Sequence, residues 1–307
     1  MLKLLENKLI KLIFFGNYFY GLCSVLLTIE SFLSLNIAVS NNYIYLIFLF
    51  FSTIVYYSFA YLTLGIYSKE INKRLSWYSQ NKKIICFSIL FFCLIILICA
   101  LLLFFDLKKS DLKFDTTEWF FLFIFPIISI LYYGFNFRIF ENFNLRSIGL
   151  IKPFIIGFVW AGLVCIYPEL FYNIKNGIHY KINLISFFIF LKNMIFISVL
   201  SIMFDIKDYA TDYNEKLKTF VVKIGLRKTI FYIIIPLCIL CMISGMFYDL
   251  NCQFKLTKQL LNTLPFFLTI IVAYFLMFRK SIFYYLIIID GLMLIKAFIG
   301  IIIELFL

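Results

Sequence analysis

The sequence has little charge. Asp, Glu, Lys and Arg make up 14% of its 307 residues, against about 25% in an ordinary soluble domain. It has one histidine, His179, which argues against a histidine-based metal centre or a His-dependent nucleophile triad. Acids are scarcer than bases, 16 against 28, for a net charge of +12. In a soluble protein that balance points to nucleic acid, but the sequence signatures of nucleic-acid binding are missing. Five prolines and 12 glycines are scattered rather than gathered. No linker divides the chain, and residues 1–307 read as a single domain. No small-residue cleavage motif follows the first apolar run, which reads as a retained helix rather than a signal peptide. The eight cysteines lie away from the histidine. Cys238 and Cys241, a C-x-x-C pair inside an apolar run, read as buried filler rather than a redox or zinc site.

What the sequence has instead is hydrophobic length. Hydrophobic residues make up 64% of the chain, with 41 Phe and 21 Tyr. They come in continuous blocks, and a bilayer crossing needs about 20 such residues. Backbone groups in hydrocarbon must be paired within the segment, so continuous apolar blocks are helices. The expected fold is all-α and polytopic. Nine crossings are expected, at about 12–36, 43–66, 84–105, 117–135, 149–167, 183–204, 229–248, 263–278 and 281–305. The split of the last stretch rests on the basic pair Arg279–Lys280. With these crossings, 19 Lys and Arg fall in loops on one side of the membrane and 7 on the other. Basic residues concentrate on the cytoplasmic side. The N-terminus is therefore expected in the cytoplasm and the C-terminus on the opposite side.

The chemistry concentrates after the sixth crossing, in Phe204-Asp205-Ile206-Lys207-Asp208-Tyr209-Ala210-Thr211-Asp212. Aspartates at i, i+3 and i+7 fall within roughly 60° of one helix face. Clustered carboxylates near a membrane are costly unless a cation neutralises them. Oxygen ligands of this kind suit Mg²⁺, which shares its shell with phosphates and water. The simpler alternative is a solvated helix end with Lys207, Lys216 and Lys218 as counter-charges.

The longer pattern, from Asp205, Asp208 and Asp212 through Lys216, Lys218-Thr219 and Ile224-Gly225, resembles the second aspartate-rich motif of the UbiA-type intramembrane prenyltransferases. The resemblance implies a bundle of nine transmembrane helices around a central lipid-facing cavity. It also implies Mg²⁺ and a prenyl diphosphate held by Asp205, Asp208 and Asp212. The implied reaction moves an isoprenyl group onto an aromatic or other lipid-soluble acceptor. Tyr132-Tyr133-Gly134-Phe135-Asn136-Phe137-Arg138 resembles the family's diphosphate-facing segment. Arg138, Lys216 and Lys218 are accordingly candidates to bind the diphosphate.

One departure matters. The family's first aspartate-rich motif, leaving the second helix, is missing. Between Tyr56 and Arg74 the only acid is Glu70, among Lys69, Lys73 and Arg74. Those bases are candidates to replace a second metal ion. The alternative reading is a non-catalytic isoprenoid- or lipid-binding membrane protein on the same fold. Outside the motif, Asp290 lies deep in the last crossing. Its expected partners are Lys192, Asn193 or Lys296. Glu30 is expected to reach the membrane interface, and Asn17 is a candidate to line a cavity.

The orientation can be checked directly. A Glu215→Cys probe in a cysteine-free background should react with a membrane-impermeant thiol reagent only from the cytoplasmic face. Labelling from the opposite face would invert the topology.

Overall fold

A computed structural model describes residues 8–67, 73–108, 113–133, 145–214, 216–251 and 256–306. Among these residues there are helices and no strands. The chain runs through α1 (Lys8–Phe15), α2 (Tyr18–Ser34), α3 (Tyr43–Tyr67), α4 (Lys73–Gln80), α5 (Lys82–Lys108) and α6 (Thr116–Tyr133). It continues through α7 (Lys152–Lys175) and α8 (Leu184–Lys207). Two short helices follow, α9 (Tyr209–Asn214) and α10 (Phe220–Ile224). The last three are α11 (Leu226–Met246), α12 (Leu256–Phe275) and α13 (Ile282–Phe306). Among the described residues, seven helices are long and apolar enough to cross a membrane, or eight if the bent pair α1–α2 is one span. The fourth expected crossing is a shorter apolar helix over Thr116–Tyr132. The protein is an integral, multi-pass membrane protein.

Local sequence explains the departures from the expected boundaries. The first crossing is broken at Gly16-Asn17, where α1 and α2 meet at 56°. Asn17 has φ 66, a left-handed conformation that asparagine tolerates better than most residues. The final stretch does divide at Arg279–Lys280, into α12 and α13. α12 begins seven residues earlier than expected, because Lys258 is neutralised by Glu304 at 2.9 Å and can enter the bundle. α7 runs eight residues past the expected end.

The spans close into a ring. α3 packs on α2 and α5, α8 on α7 and α11, and α12 on α11 and α13; α13 returns to α2. α5 is peripheral, with 6% of its apolar window buried, whereas α7 is central at 67%. Phe87, Leu90, Leu94 and Leu97 of α5 are exposed, as a surface facing lipid tails should be. Between α7 and α8 the helices approach closely at Gly157. A Cβ there would lie 2.2 Å from Ser198 Oγ and 2.4 Å from the Met194 carbonyl. Small residues permit such approaches where no hydrophobic force drives helices together.

The first and last spans are tied by charge. Lys296 Nζ donates to both Glu30 oxygens, at 2.8 and 2.7 Å. Both residues are buried, which corrects the expectation that Glu30 reaches the interface. Gly300 makes the room: a Cβ there would sit 2.5 Å from Glu30 Cγ. Lys296→Met should strand the Glu30 carboxylate and cost on the order of 3 kcal/mol. The double change Glu30→Met, Lys296→Met should recover most of that loss. Thermal unfolding in detergent checks both, and equal melting of single mutant and wild type would show the pair to be dispensable.

Candidate functional site

The bundle encloses a cavity of about 860 Å³, lined by α2, α3, α4, α6, α7, α8, α9 and α13. Most of its wall is apolar or aromatic, including Leu49, Ile156, Val159, Trp160 and Leu200. The charged wall residues come mainly from the ends of helices. They are Asp205, Asp208 and Asp212 with Arg74, Arg146, Lys152 and Lys207, and Asp290 lies deeper in α13. The cavity is therefore amphipathic, an apolar volume with a charged mouth.

The aspartates arrive on two helices rather than one. α8 ends at Lys207 and Asp208 is its C-cap, with φ −91 and ψ 9. Asp212 follows on α9, its N–H bonded to the Asp208 carbonyl at 2.9 Å. All three aspartates still line the cavity. Asp205 and Asp212 are buried, while the Asp208 side chain is 44% exposed and lies 3.3 Å from Lys207. Asp205 Oδ1 accepts from Lys152 Nζ at 2.6 Å. Asp205 Oδ2 and Asp212 Oδ2 are buried without a hydrogen-bond partner. Burial pushes the Asp212 carboxyl up to about 6, with Lys152 pulling against it. Among the described residues, no group of three or more His, Cys, Asp or Glu side chains gathers tightly enough to hold a metal.

Lys152 was counted in sequence only as a basic loop residue. Its signal was available: it is the first residue of α7, with Pro153 next. A cation in the first turn opposes the helix dipole and needs a local partner, and Asp205 is that partner. Arg146, on the short turn before α7, joins it at the cavity wall. Of the sequence candidates for diphosphate contact, Lys216 and Lys218 are exposed and lie off the described cavity wall. Arg138 lies outside the described residues, as do Lys69 and Glu70.

Where the missing first motif would stand, the structure has a neutral network around Arg74. Asn17 Nδ2 donates to Ser58 Oγ at 3.0 Å and to Tyr78 Oη at 2.9 Å. Arg74 donates to Asn17 Oδ1, to Tyr61 Oη at 3.0 Å and to the Phe14 carbonyl at 3.1 Å. Its guanidinium also stacks 4.0 Å from the Tyr61 ring centroid. Arg74 is thus fixed at the cavity wall, the only one of the three basic candidates in that stretch with a described side chain. Asn17 supports this network rather than lining the cavity itself.

No family model and no curated protein sequence matches the chain. The fold and cavity define a class: an all-helical, multi-pass membrane protein around an amphipathic chamber. A solved structure of digeranylgeranylglyceryl phosphate synthase in membranes has a similar fold. It matches with a TM-score of 0.55 over 94% of this chain and 93% of that chain, at 14% identity. At that identity the likeness is one of fold.

The Lys152–Asp205 pair gives a measurable consequence. Lys152→Met should leave Asp205 buried and unpaired, lowering stability by on the order of 3 kcal/mol without divalent cations. Added Mg²⁺ should then raise the melting temperature of the variant more than that of the wild type. If Mg²⁺ leaves both unchanged, the aspartates do not bind it in the free protein.

Proposed function

We propose that the protein is a Mg²⁺-dependent membrane prenyltransferase, moving an isoprenyl group from a prenyl diphosphate to a lipid-soluble acceptor. The observation that carries this reading is the amphipathic cavity. Its apolar volume matches a prenyl tail, and its charged mouth matches a diphosphate. The motif resemblance and the fold shared with a synthase of prenyl lipids point the same way, although fold likeness alone does not establish an activity.

In this structure the three aspartates share the cavity wall without converging on one point, so holding one metal ion would require them to draw together. Asp205 and Asp212, each with a buried, unpartnered oxygen, would supply hard ligands, and Asp208 on the same wall would join them. A bound Mg²⁺ would neutralise part of the diphosphate charge. Arg146, Lys152 and Lys207 would carry the rest, stabilising the leaving group as its carbon–oxygen bond breaks. Arg74 would add a fixed positive field from the cavity wall, in the place of a second aspartate motif. The aromatic wall would stabilise the allylic cation by cation–π attraction.

A second reading is a non-catalytic isoprenoid-binding protein, with the same cavity and no transfer. Its specific support is that Lys152 already occupies one oxygen of Asp205 and that neutral residues fill the place of the first motif.

The test separates the two. Purified protein should bind geranylgeranyl diphosphate only with Mg²⁺, and Asp205→Asn or Asp208→Asn should weaken binding at least tenfold. Metal-independent binding of equal strength would sink the metal role. Release of pyrophosphate that quickens with an acceptor would establish transfer, and Arg146→Met should slow release more than it weakens binding. Binding without release across a broad acceptor panel would leave the binding-protein reading.

A further inference from the structure

Asp290 is a buried acid that neither the charged mouth nor the structural ion pairs use. It is 1% exposed and lines the cavity. It lies in α13 eight residues past Ile282, about 12 Å along the helix. Both of its carboxylate oxygens are buried without a hydrogen-bond partner. An unpaired carboxylate in such a place costs several kcal/mol and survives only where something outside the fold repays it.

The partners expected from the sequence are all engaged elsewhere. Lys296 is held by both oxygens of Glu30. Lys192 reaches Asn262 Oδ1 at 3.5 Å. Asn193 donates to the Ile189 carbonyl at 3.1 Å and to Cys165 Sγ. The groups that act on Asp290 electrostatically are the Tyr20 phenol, Arg74 and Lys207. Two of these are cations, so the site has no shortage of positive charge; the Tyr20 phenol is the donor in reach, and neither carboxylate oxygen forms a well-aligned hydrogen bond with it, which leaves acceptor capacity open. The backbone marks the position too. Asp290 directly follows a π-helical turn over Tyr285–Ile289, a distortion that recurs at functional positions in helices.

The neighbouring wall is flat and aromatic. Tyr20 stacks on Tyr57 at 5.0 Å, and Trp160 donates to the Tyr57 hydroxyl at 2.8 Å. We propose that Asp290 is the residue that recognises the hydroxyl of a lipid-soluble ligand, accepting its hydrogen bond while the aromatic wall holds the apolar remainder. This rests on the cavity taking a lipid-soluble ligand, as in the proposed function, and not on the transfer reaction.

The test uses 4-dodecylphenol and its methyl ether, which differ only in the donor. Binding to the full-length protein in detergent is read by tryptophan emission, since Trp160 lines the cavity. The phenol should bind wild type at least tenfold more tightly than the ether. In Asp290→Leu the preference should vanish while both compounds still bind. Asp290→Asn, which keeps the shape and one acceptor, should retain part of it. A preference unchanged in both variants, or no preference in wild type, would each overturn the assignment. No diphosphate or Mg²⁺ is present, so failure here leaves the metal-dependent binding test untouched. Success here with failure there would leave a lipid-binding cavity without the transferase reading.

Discussion

A charge inside hydrocarbon has to be met by an opposite charge or by several hydrogen bonds, or it is too costly to keep. In this protein that constraint organises the bundle. Glu30 and Lys296 join the first and last spans at its centre. Lys258 and Glu304 pair between α12 and α13. Glu118, buried at the start of α6, receives the backbone N–H groups of Asp115 and Tyr180, each at 2.8 Å. Lys152 and Asp205 join α7 to α8 at the cavity mouth. Pairs this far apart in sequence fix which helices are neighbours, where apolar packing against lipid-like surfaces discriminates poorly.

The same constraint separates structure from chemistry. Carboxylate oxygens of Glu30 are both satisfied, and the residue reads as a tie. Oxygens of Asp205, Asp212 and Asp290 are not, and all three residues face the one large cavity. Stability alone would have removed them, since apolar residues of similar volume in place of buried charge are commonly neutral or stabilising. Under the proposed function, their presence in a wall otherwise rich in Tyr, Trp and aliphatic residues is accounted for by a ligand that completes them.

Much of this was legible in the sequence. Long apolar blocks and the biased loop charges gave helices, their approximate ends and a membrane location, because the bilayer imposes length and pairing on any crossing. The aspartates are legible from their i, i+3, i+7 spacing, although the helix ends at Lys207 and Asp212 reaches the same cavity wall on the next helix. What the sequence hid was pairing across space. Lys152 and Arg146 looked like ordinary loop cations, and only the packing of α7 on α8 brings Lys152 to Asp205. Asp290 is visible as an oddity, but its expected partners Lys192, Asn193 and Lys296 are engaged elsewhere, Lys296 with Glu30 on another span. The bend at Gly16-Asn17 was equally hidden, since its cause is one left-handed residue held by side chains of α3 and α4.

The charge balance of the cavity bears on how a site with one aspartate motif can work. Among the described residues, four cations line it, Arg74, Arg146, Lys152 and Lys207, and four acids, Asp205, Asp208, Asp212 and Asp290. A mouth flanked by two acidic motifs would be strongly negative and would need more than one divalent ion before it could accept a diphosphate. Here the lining is formally neutral, and setting aside the deeper Asp290 leaves an excess of one positive charge. Under the proposed function, part of the neutralisation that a second metal would supply is built into the protein as fixed cations. Those cations require no ion to be recruited, and a network of Tyr61, Asn17 and backbone carbonyls already orients Arg74. Preorganised charge of this kind assists bond breaking to the extent that it needs no rearrangement when the diphosphate leaves.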